Sequence, residues 1–396
     1  MKKLVLFGAG KIGRSFIGQL FSADGFEVIF VDVYKPVIDE LNRRREYKVV
    51  IKSESDSVIF VKNVRGILAG DETSVINEIC EADIMATAVG QNGLPGVFPL
   101  LAKGLENRYQ KHSDKPLDII MAENLRNAAT YFEKELKKVL SPTYPFQKLV
   151  GLVETSIGKM VPIMTQKDME EDQLQVFAEP YNTLILHKKA FKNPIPKIAG
   201  LAPKENIQAW VDRKLFIHNL GHAVAAYLGY LYNLQFVYLW EALEVPEIYN
   251  EVKATMQQSA NALIKKYPDD FTSASLDAHM NDLLSRFQNR ALGDTIFRVG
   301  CDLPRKLGPN DRLVGAIRLA QEMNVPYDKI LVALIYGCRF RATDEKGKMH
   351  PADENFSQLY QTGLKNVLAK ICTFDIITDS GLIEEAERIE KRLLTK

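Results

Sequence analysis

A glycine-rich turn near the amino terminus constrains the fold more than any other feature of the sequence. The apolar run Lys3 to Phe7 predicts a short strand, and the segment Lys11 to Ala23 has helical periodicity. Between the two, Gly8, Gly10 and Gly13 stand in the spacing G-x-G-x-x-G. A strand, this turn and a helix in succession predict the opening βαβ unit of a doubly wound parallel sheet, the Rossmann type.

Each glycine of this turn has a separate physical task in binding a dinucleotide. Gly8 permits the tight turn, Gly10 lets the backbone approach a pyrophosphate, and Gly13 lets helix and strand pack closely. Asp32 ends the second predicted strand, where its carboxylate accepts ribose hydroxyls and repels a 2′-phosphate, so NAD is favoured over NADP. Lys35 would tolerate a 2′-phosphate, and the alternative for the whole motif is a degenerate turn without a ligand. The residues expected at the cofactor are Phe7, Gly8, Ala9, Gly10, Lys11, Ile12, Gly13 and Asp32.

The first half of the chain continues as strands alternating with helices. Apolar runs at 27–31, 58–64, 83–89, 117–122 and 149–153 predict further strands of a sheet covered on both faces. Residues 159–191 read as strand-rich additions, with Gln173 to Glu179 and Asn182 to Leu186 as an antiparallel pair. Residues 1–195 are therefore predicted to form an α/β cofactor-binding domain.

The second half of the chain has the pattern of a mostly α-helical domain. A linker containing Pro194, Pro196 and Pro203 places the boundary near residue 195. The predicted helices cover 207–233, 245–267, 275–288, 308–323, 327–341, 354–370 and 381–396. Residues 196–396 are expected to bind the substrate and carry the catalytic groups.

The charge and cysteine content exclude several classes of protein. Lys plus Arg number 51 and Asp plus Glu number 50, which argues against a partner bound through neutralised phosphates or an anionic membrane surface. No apolar run reaches the ~18 residues of a membrane span. The four scattered cysteines form no C-x-x-C pair, and no His, Cys and Glu set has metal-ligand spacing. We expect a cytoplasmic protein with a small-molecule partner, no metal, and a monomeric or weakly homo-oligomeric state.

The most informative segment for chemistry lies at the start of the helical half. Lys214, Asn219 and His222 fall within an arc of about 140° on a helix that turns by about 100° per residue. A lysine with a depressed pKa can take a hydroxyl proton, an amide can stabilise the alkoxide, and an imidazole can orient the substrate. Spacing alone leaves open that the lysine is solvated and the histidine structural, which is also our interpretation of His218.

This spacing resembles a known family. Lys214-x4-Asn219-x2-His222 is similar to the K-x4-N-x2-H motif of the polyol-specific long-chain dehydrogenases, the mannitol dehydrogenase family. The resemblance covers essentially the whole chain and implies that the lysine is the general base. It also implies that a second asparagine completes the oxyanion hole, and Asn124, in Met-Ala-Glu-Asn, is its match. Asn124 follows an apolar strand, and it can at the same time cap a helix over 125–138.

A second match extends the resemblance towards the substrate. The stretch 298–313 resembles the R-x4-P-x-RKL-x2-NDRL pattern of the mannitol-1-phosphate enzymes in this family, with small shifts around Cys301 to Pro304. The resemblance implies that Arg298 and Lys306 bind hydroxyl groups of the substrate. On spacing alone, these cations suit a phosphate or a carboxylate, or pair with Asp302 and Asp311.

A further departure from the family pattern lies in the segment Val153 to Pro162. There Gly158 and Lys159 stand where the phosphate-specific enzymes have an acid and an arginine, and the loss of a carboxylate is expected to change which hydroxyl groups of the substrate are recognised.

The resemblance implies an NAD-dependent, metal-independent oxidoreductase that interconverts a polyol phosphate and a ketose phosphate. D-mannitol 1-phosphate and D-fructose 6-phosphate are the expected pair. The alternatives are a tagaturonate or fructuronate reductase, a mannitol 2-dehydrogenase, and a catalytically silent NAD-binding regulator. A decarboxylating enzyme of the 6-phosphogluconate type also uses Lys and Asn, but it lacks the K-x4-N-x2-H spacing.

Overall fold

The structure is a computed structural model that describes residues 1–395. Contacts divide the chain into two compact units, Met1–Val211 and Asp212–Lys396. The sequence placed this boundary near residue 195, but Leu201–Lys204 forms a strand of the first unit's sheet, and the division falls later, within a helix. In residues 1–395, no helix combines the length and the apolar character needed to cross a membrane.

The first unit is built on an eight-stranded sheet, as the alternating pattern predicted. Its strands are β1 Lys3–Phe7, β2 Glu27–Asp32, β3 Glu46–Ile51, β4 Ser57–Lys62, β5 Val64–Leu68, β6 Ile84–Thr87, β7 Leu117–Met121, β8 Val150–Ser156, β9 Val176–Ala178, β10 Leu184–His187 and β11 Leu201–Lys204. The large sheet has the order β11-β10-β8-β7-β6-β1-β2-β5, and β4-β3-β9 form a small second sheet. In this order the six neighbouring strands β8-β7-β6-β1-β2-β5 run parallel to one another. Strand β10 pairs with β8 in the antiparallel direction.

This strand order places a ligand crevice at a known position. The chain leaves β1 towards β2 on one side and returns to β6 on the other, so the carboxyl ends of β1 and β6 flank a switch point. Buried side chains cover both faces of the sheet, as a mainly parallel sheet requires.

Two strand predictions are wrong in detail. The run 58–64 is two strands, β4 and β5, because Asn63 takes a left-handed conformation with φ of 55° and ends the first of them. The segments around β9 and β10 do not pair with each other. Instead β9 pairs with β3, while β10 lies between β8 and β11. Alternation of apolar residues predicts a strand but does not identify a partner that is distant in sequence.

The helices of the first unit alternate with the strands. They are a π-helical turn Gly13–Gly18 that continues as α1 Gln19–Ala23, then α2 Lys35–Arg44, α3 Glu72–Glu81, α4 Leu94–Lys111, α5 Ala128–Val139, α6 Phe146–Leu149, α7 Gln166–Glu171, a 3₁₀ turn Lys188–Ala190 and α8 Ile207–Arg213. Helix α5 begins at Ala128 after Asn127, whose φ is 52°, so the predicted helix start at Asn124 is wrong.

The second unit is helical throughout its described residues. A π-helical turn Lys214–Asn219 follows α8, and the helices after it are α9 Leu220–Tyr232, α10 Leu239–Leu243, α11 Pro246–Lys266, α12 Ser273–Phe287, α13 Ile296–Gly300, α14 Leu303–Lys306, α15 Val314–Glu322, α16 Asp328–Cys338, α17 Pro351–Gln361, α18 Leu364–Lys370 and α19 Ser380–Leu394, with a 3₁₀ turn at Arg290–Leu292. Helix α9 packs against α10, α11, α13 and α16. A Cβ at Gly229 would lie 2.6 Å from that of Ala242, so this glycine sets the close approach of α10.

Candidate active site

The three glycines of the turn have the backbone conformation and the surrounding space that the sequence motif predicted. Gly8 has a φ of +102°, and a side chain there would meet the carbonyl group of Ala88 after β6. A Cβ on Gly13 would overlap the carbonyl oxygen of Gly8, so the helix can begin this close to β1 only with glycine. A Cβ on Gly10 meets nothing within 4 Å. The first and third glycines are therefore required by the protein, whereas the second faces open space.

Asp32 holds the turn from the end of β2. Its Oδ2 accepts a hydrogen bond of 2.7 Å from the backbone N–H of Ala9, and Oδ1 accepts one of 2.9 Å from Tyr34. A cavity of about 470 Å³ opens beside it and is lined by Gly10, Lys11 and Asp32 on one side and by residues from the α7 region on the other. Phe7 is buried in the core, so only its backbone lies at the turn.

These residues fit a dinucleotide. The open face of Gly10 leaves room for a pyrophosphate, and the first turn of a helix leaves backbone N–H groups for its oxygens. The Asp32 carboxylate lies at the rim of the same cavity, within the part of the site where a ribose would lie.

At the next strand ends, a buried glutamate ties two loops together. The carboxylate of Glu123 accepts hydrogen bonds from the backbone N–H groups of Val89 (3.0 Å) and Gly90 (2.9 Å), which follow β6. Burial raises its pKa. Asn124 is exposed directly after it, and its backbone carbonyl accepts a hydrogen bond from the Gln91 amide. Asn124 thus lies at the carboxyl edge of the sheet, as predicted, and its role in an oxyanion hole stays a prediction.

The two residues that depart from the family pattern follow β8. Lys159 is buried, its ammonium donates a 2.7 Å hydrogen bond to Asn182 Oδ1, and it lies 5.1 Å from the centre of the Phe16 ring. A Cβ at Gly158 would lie 3.6 Å from the ring of Tyr181, an ordinary contact. Lys159 is therefore integrated into the first unit rather than presented to solvent.

The segment that carries Lys214 is not a regular α-helix. Residues Lys214–Asn219 form a π-helical turn, in which an N–H bonds the carbonyl five residues earlier. Such a turn brings the residue five positions on back above the first, so Lys214 and Asn219 lie closer to one side than the regular α-helical angle predicted. Single π turns are frequent at functional sites. The sequence contained no sign of this turn.

Lys214 lies in an environment that suits a general base. The pKa of Lys214 is lowered from 10.5 to about 8, chiefly by burial and also by the Arg312 and Arg305 guanidinium groups, against an opposing effect of Asp311. Arg312 is itself buried and reaches the carbonyl of Asn219 at 3.4 Å. A neutral amine is therefore populated near neutral pH.

His222 is held by a carboxylate that the sequence analysis missed. Its Nε2 lies 2.9 Å from Oδ2 of Asp294, which also forms an ion pair with Arg298. The His222 ring stacks on Phe287 with 4.6 Å between centroids. The sequence contained one indication that Asp294 forms an ion pair: it lies four residues before Arg298, and oppositely charged residues at this spacing face each other on a helix. Nothing in the sequence linked Asp294 to His222.

His218 and Lys306 are both buried in the second unit. His218 packs edge-on against the Phe287 ring, which agrees with a structural role. The ammonium of Lys306 donates a 2.6 Å hydrogen bond to the carbonyl of Val299. Burial lowers the pKa of Lys306 to about 8, with Arg312 adding to the effect.

The remaining cations of this stretch are paired, as one of the two interpretations predicted. Arg305 pairs with Asp302 at 2.5 Å and with Asp311 at 3.5 Å, and Arg312 pairs with Asp311 at 2.7 Å. Arg298 has a carboxylate partner too, although it is Asp294 rather than the two acids considered from spacing. Within the described residues, Lys306 has no carboxylate at ion-pair distance, so it differs from its neighbours.

In residues 1–395, one group of side chains has donor atoms close enough for a metal ion. Cys80, Glu81 and His112 lie at the ends of α3 and α4, with donor atoms within 4.8 Å of one another. Glu81 also forms an ion pair with Lys111. These three residues do not line the cavity beside the glycine turn, so we do not include them in the candidate site.

Comparisons with known proteins identify the family of this chain. Residues 2–200 match the family model described as the mannitol dehydrogenase Rossmann domain, and residues 206–392 match the mannitol dehydrogenase C-terminal domain. A D-sorbitol dehydrogenase solved in substrate-free form has a TM-score of 0.82 at 18% identity, covering 98% of this chain and 92% of that chain. The Pseudomonas fluorescens mannitol 2-dehydrogenase, solved with NAD and D-mannitol, has a TM-score of 0.78 at 16% identity, covering 99% and 92%. At these identities, the structural likeness supports the fold alone.

Proposed function

Because the chain belongs to the mannitol dehydrogenase family, it is an NAD-dependent polyol dehydrogenase, and we propose that it interconverts D-mannitol 1-phosphate and D-fructose 6-phosphate. The observation that carries the choice of a phosphorylated substrate is the buried ammonium group of Lys306, which has a backbone carbonyl but no carboxylate for a partner among residues 1–395. A buried charge is costly unless an opposite charge compensates it. An anionic group on the substrate would supply that compensation.

The chemistry follows from the second unit's polar groups. Lys214, in its neutral form, accepts the proton of the reacting hydroxyl at Nζ, and its pKa of about 8 suits that task. The Asn219 side chain donates an amide N–H to the developing alkoxide, and Asn124 is proposed to add a second donor, as the family resemblance implies. His222 orients the substrate. NAD bound at the glycine turn would supply the acceptor for the hydride.

The cofactor preference is proposed from the first unit. Asp32 holds Ala9 with one oxygen and lies at the rim of the cavity that Gly10 and Lys11 line. The carboxylate disfavours a 2′-phosphate, which supports NAD over NADP.

A substrate panel with NADH tests the proposal. We expect reduction of fructose 6-phosphate to exceed that of fructose, tagaturonate and fructuronate. Lys306→Met should raise KM for the phosphorylated ketose about 10- to 100-fold, since it removes a charge-assisted hydrogen bond, and should change KM for fructose little. Lys329→Met is the matched control, because Lys329 pairs with Glu251 at 3.0 Å on the surface. Equal activity on fructose and fructose 6-phosphate would contradict a phosphate-specific site.

A sugar-acid reductase is the second candidate, and the same observation supports it. A carboxylate compensates the Lys306 ammonium group as well as a phosphate does. Preference for tagaturonate or fructuronate in the panel would establish this alternative. The absence of turnover with every ketose, despite binding of NADH, would indicate a silent regulator.

A further inference from the structure

Asp294 is a buried carboxylate of the second unit. Its side chain is 5% exposed, and its backbone carbonyl accepts a 2.9 Å hydrogen bond from Leu239. The preceding Gly293 has a left-handed conformation with φ of 64°. The following Thr295 accepts a 3.1 Å hydrogen bond from the N–H of Arg298 and so begins α13. The carboxylate is therefore presented from a rigid backbone.

The two carboxylate oxygens of Asp294 serve two different side chains. Oδ2 lies 2.9 Å from Nε2 of His222, and Oδ1 forms an ion pair with Arg298. The His222 ring also stacks on Phe287 with only 16° between the ring planes. One hydrogen bond and one stacking contact leave the imidazole a single orientation.

This arrangement selects one tautomer of His222. Burial lowers the pKa of His222 well below its usual value, and the Arg298, Arg312, Lys306 and Arg286 cations lower it further, so the ring is neutral near pH 7. A neutral imidazole carries one N–H, and a carboxylate accepts hydrogen bonds, so the proton lies on Nε2. No described residue hydrogen-bonds Nδ1, which keeps its lone pair.

We propose that Asp294 is a positioning residue that holds His222 in the Nε2–H tautomer, so that Nδ1 accepts a hydrogen bond from a hydroxyl group of the substrate. This inference rests on the proposed function, since it concerns how the same site recognises its substrate. His222 would then recognise a hydroxyl group, because a substrate must offer an O–H donor to Nδ1. The ion pair with Arg298 engages Oδ1 of Asp294, so Oδ2 is the oxygen that bonds His222.

The proposal predicts which substrates lose affinity. An analogue that lacks the hydroxyl group leaves Nδ1 without a donor and should react more slowly than the parent ketose phosphate. Deoxy analogues of fructose 6-phosphate, each lacking one hydroxyl group, identify the position. For the analogue that lacks the recognised hydroxyl, changing Asp294 should have little further effect, because the contact is already absent.

Asp294→Asn is the informative variant. Its amide can donate to Nε2, which favours the Nδ1–H tautomer and removes the acceptor. We expect kcat/KM for the parent substrate to fall about 10- to 100-fold, the cost of leaving a buried hydrogen-bonding group without a partner, with a much smaller loss for one deoxy analogue. Asp379→Asn is the matched control: Asp379 is also a buried carboxylate, and it holds Arg318 at 2.5 and 2.6 Å. This control should lose stability without the substrate-dependent change.

A direct measurement of the tautomer keeps the test independent of folding of the variant. Nitrogen-15 chemical shifts of histidine distinguish protonated from unprotonated ring nitrogens, and His222→Gln assigns the signal in the full-length protein with NADH. Protonation of Nδ1 in the unmodified protein would overturn the proposal, as would equal losses for all substrates in Asp294→Asn. If the unmodified protein turns over none of the substrates, the proposed function fails, while the tautomer measurement still reports on Asp294.

Discussion

Lys214 and Asn219 stand at the two ends of a single π-helical turn, which brings the amine and the amide to one side of the helix. Regular α-helical geometry would rotate the second residue by about 140° from the first. The irregular turn therefore improves the alignment of the two groups that are proposed to share one substrate oxygen. The buried Arg312 contacts the carbonyl of Asn219 and lowers the pKa of Lys214, so one cation acts on both residues.

Removal of the Lys214 side chain should abolish most turnover. Lys214→Ala is expected to lower kcat for polyol phosphate oxidation about 10²- to 10⁴-fold. In the unmodified enzyme the oxidation rate should rise with pH and level off above about 8, the pKa of the amine, because only the neutral form accepts a proton. The pH profile of the variant should be flat over this range. Near-native turnover in a folded variant would exclude Lys214 as the base.

The same pKa predicts how stability depends on pH. Between pH 8 and 10.5 the unfolded chain binds a proton at Lys214 that the folded chain does not, so this group makes the free energy of unfolding rise with pH. Lys214→Met lacks that contribution. Its stability relative to the unmodified protein should therefore be highest below pH 8 and decline towards pH 10.5, as measured by urea unfolding. A difference that stays constant with pH would show that Lys214 is solvated.

The glycine turn offers a matched pair of substitutions. Gly10→Ala adds a methyl group that meets no protein atom within 4 Å, so the free energy of unfolding should change by less than about 0.5 kcal/mol while NADH binding weakens. Gly13→Ala places its methyl group on the carbonyl of Gly8 and should cost about 1–3 kcal/mol or more. Thermal unfolding and NADH titration separate the two effects. Unchanged NADH affinity in Gly10→Ala would mean that the cofactor does not approach this face.

Asp32→Asn tests the cofactor preference by removing the negative charge while keeping a side chain of the same size. The amide oxygen can still accept the hydrogen bond from Ala9 that the carboxylate now accepts at 2.7 Å, so the turn should persist, although the 2.9 Å bond from Tyr34 is lost. The loss of charge should weaken repulsion of a 2′-phosphate and raise kcat/KM with NADPH relative to NADH. Asp39→Asn, on the exposed face of α2, serves as the control. A native preference for NADPH would refute the role given to Asp32.

Local features of the chain were predictable from sequence. The strand β1, the glycine turn and the helix after it follow from steric needs within a few residues: Gly8 requires a positive φ, and Gly13 a missing Cβ. The alternation of apolar runs likewise predicted the parallel sheet. The split of 58–64 into two strands was missed, since one left-handed residue, Asn63, leaves no trace in the apolar pattern.

The sequence by itself determined the cofactor-binding fold and the set of polar residues on the Lys214 helix, because glycine spacing and helical periodicity are properties of neighbouring residues. Only the tertiary structure decided the pKa values and the side-chain orientations of those residues. Asp294 lies 72 residues from His222 in sequence yet holds its Nε2 at 2.9 Å. The lowered pKa of Lys214 likewise depends on burial and on Arg312, which lies on a distant segment. Protonation states depend on desolvation and on nearby charges, and both arise only when remote segments pack together.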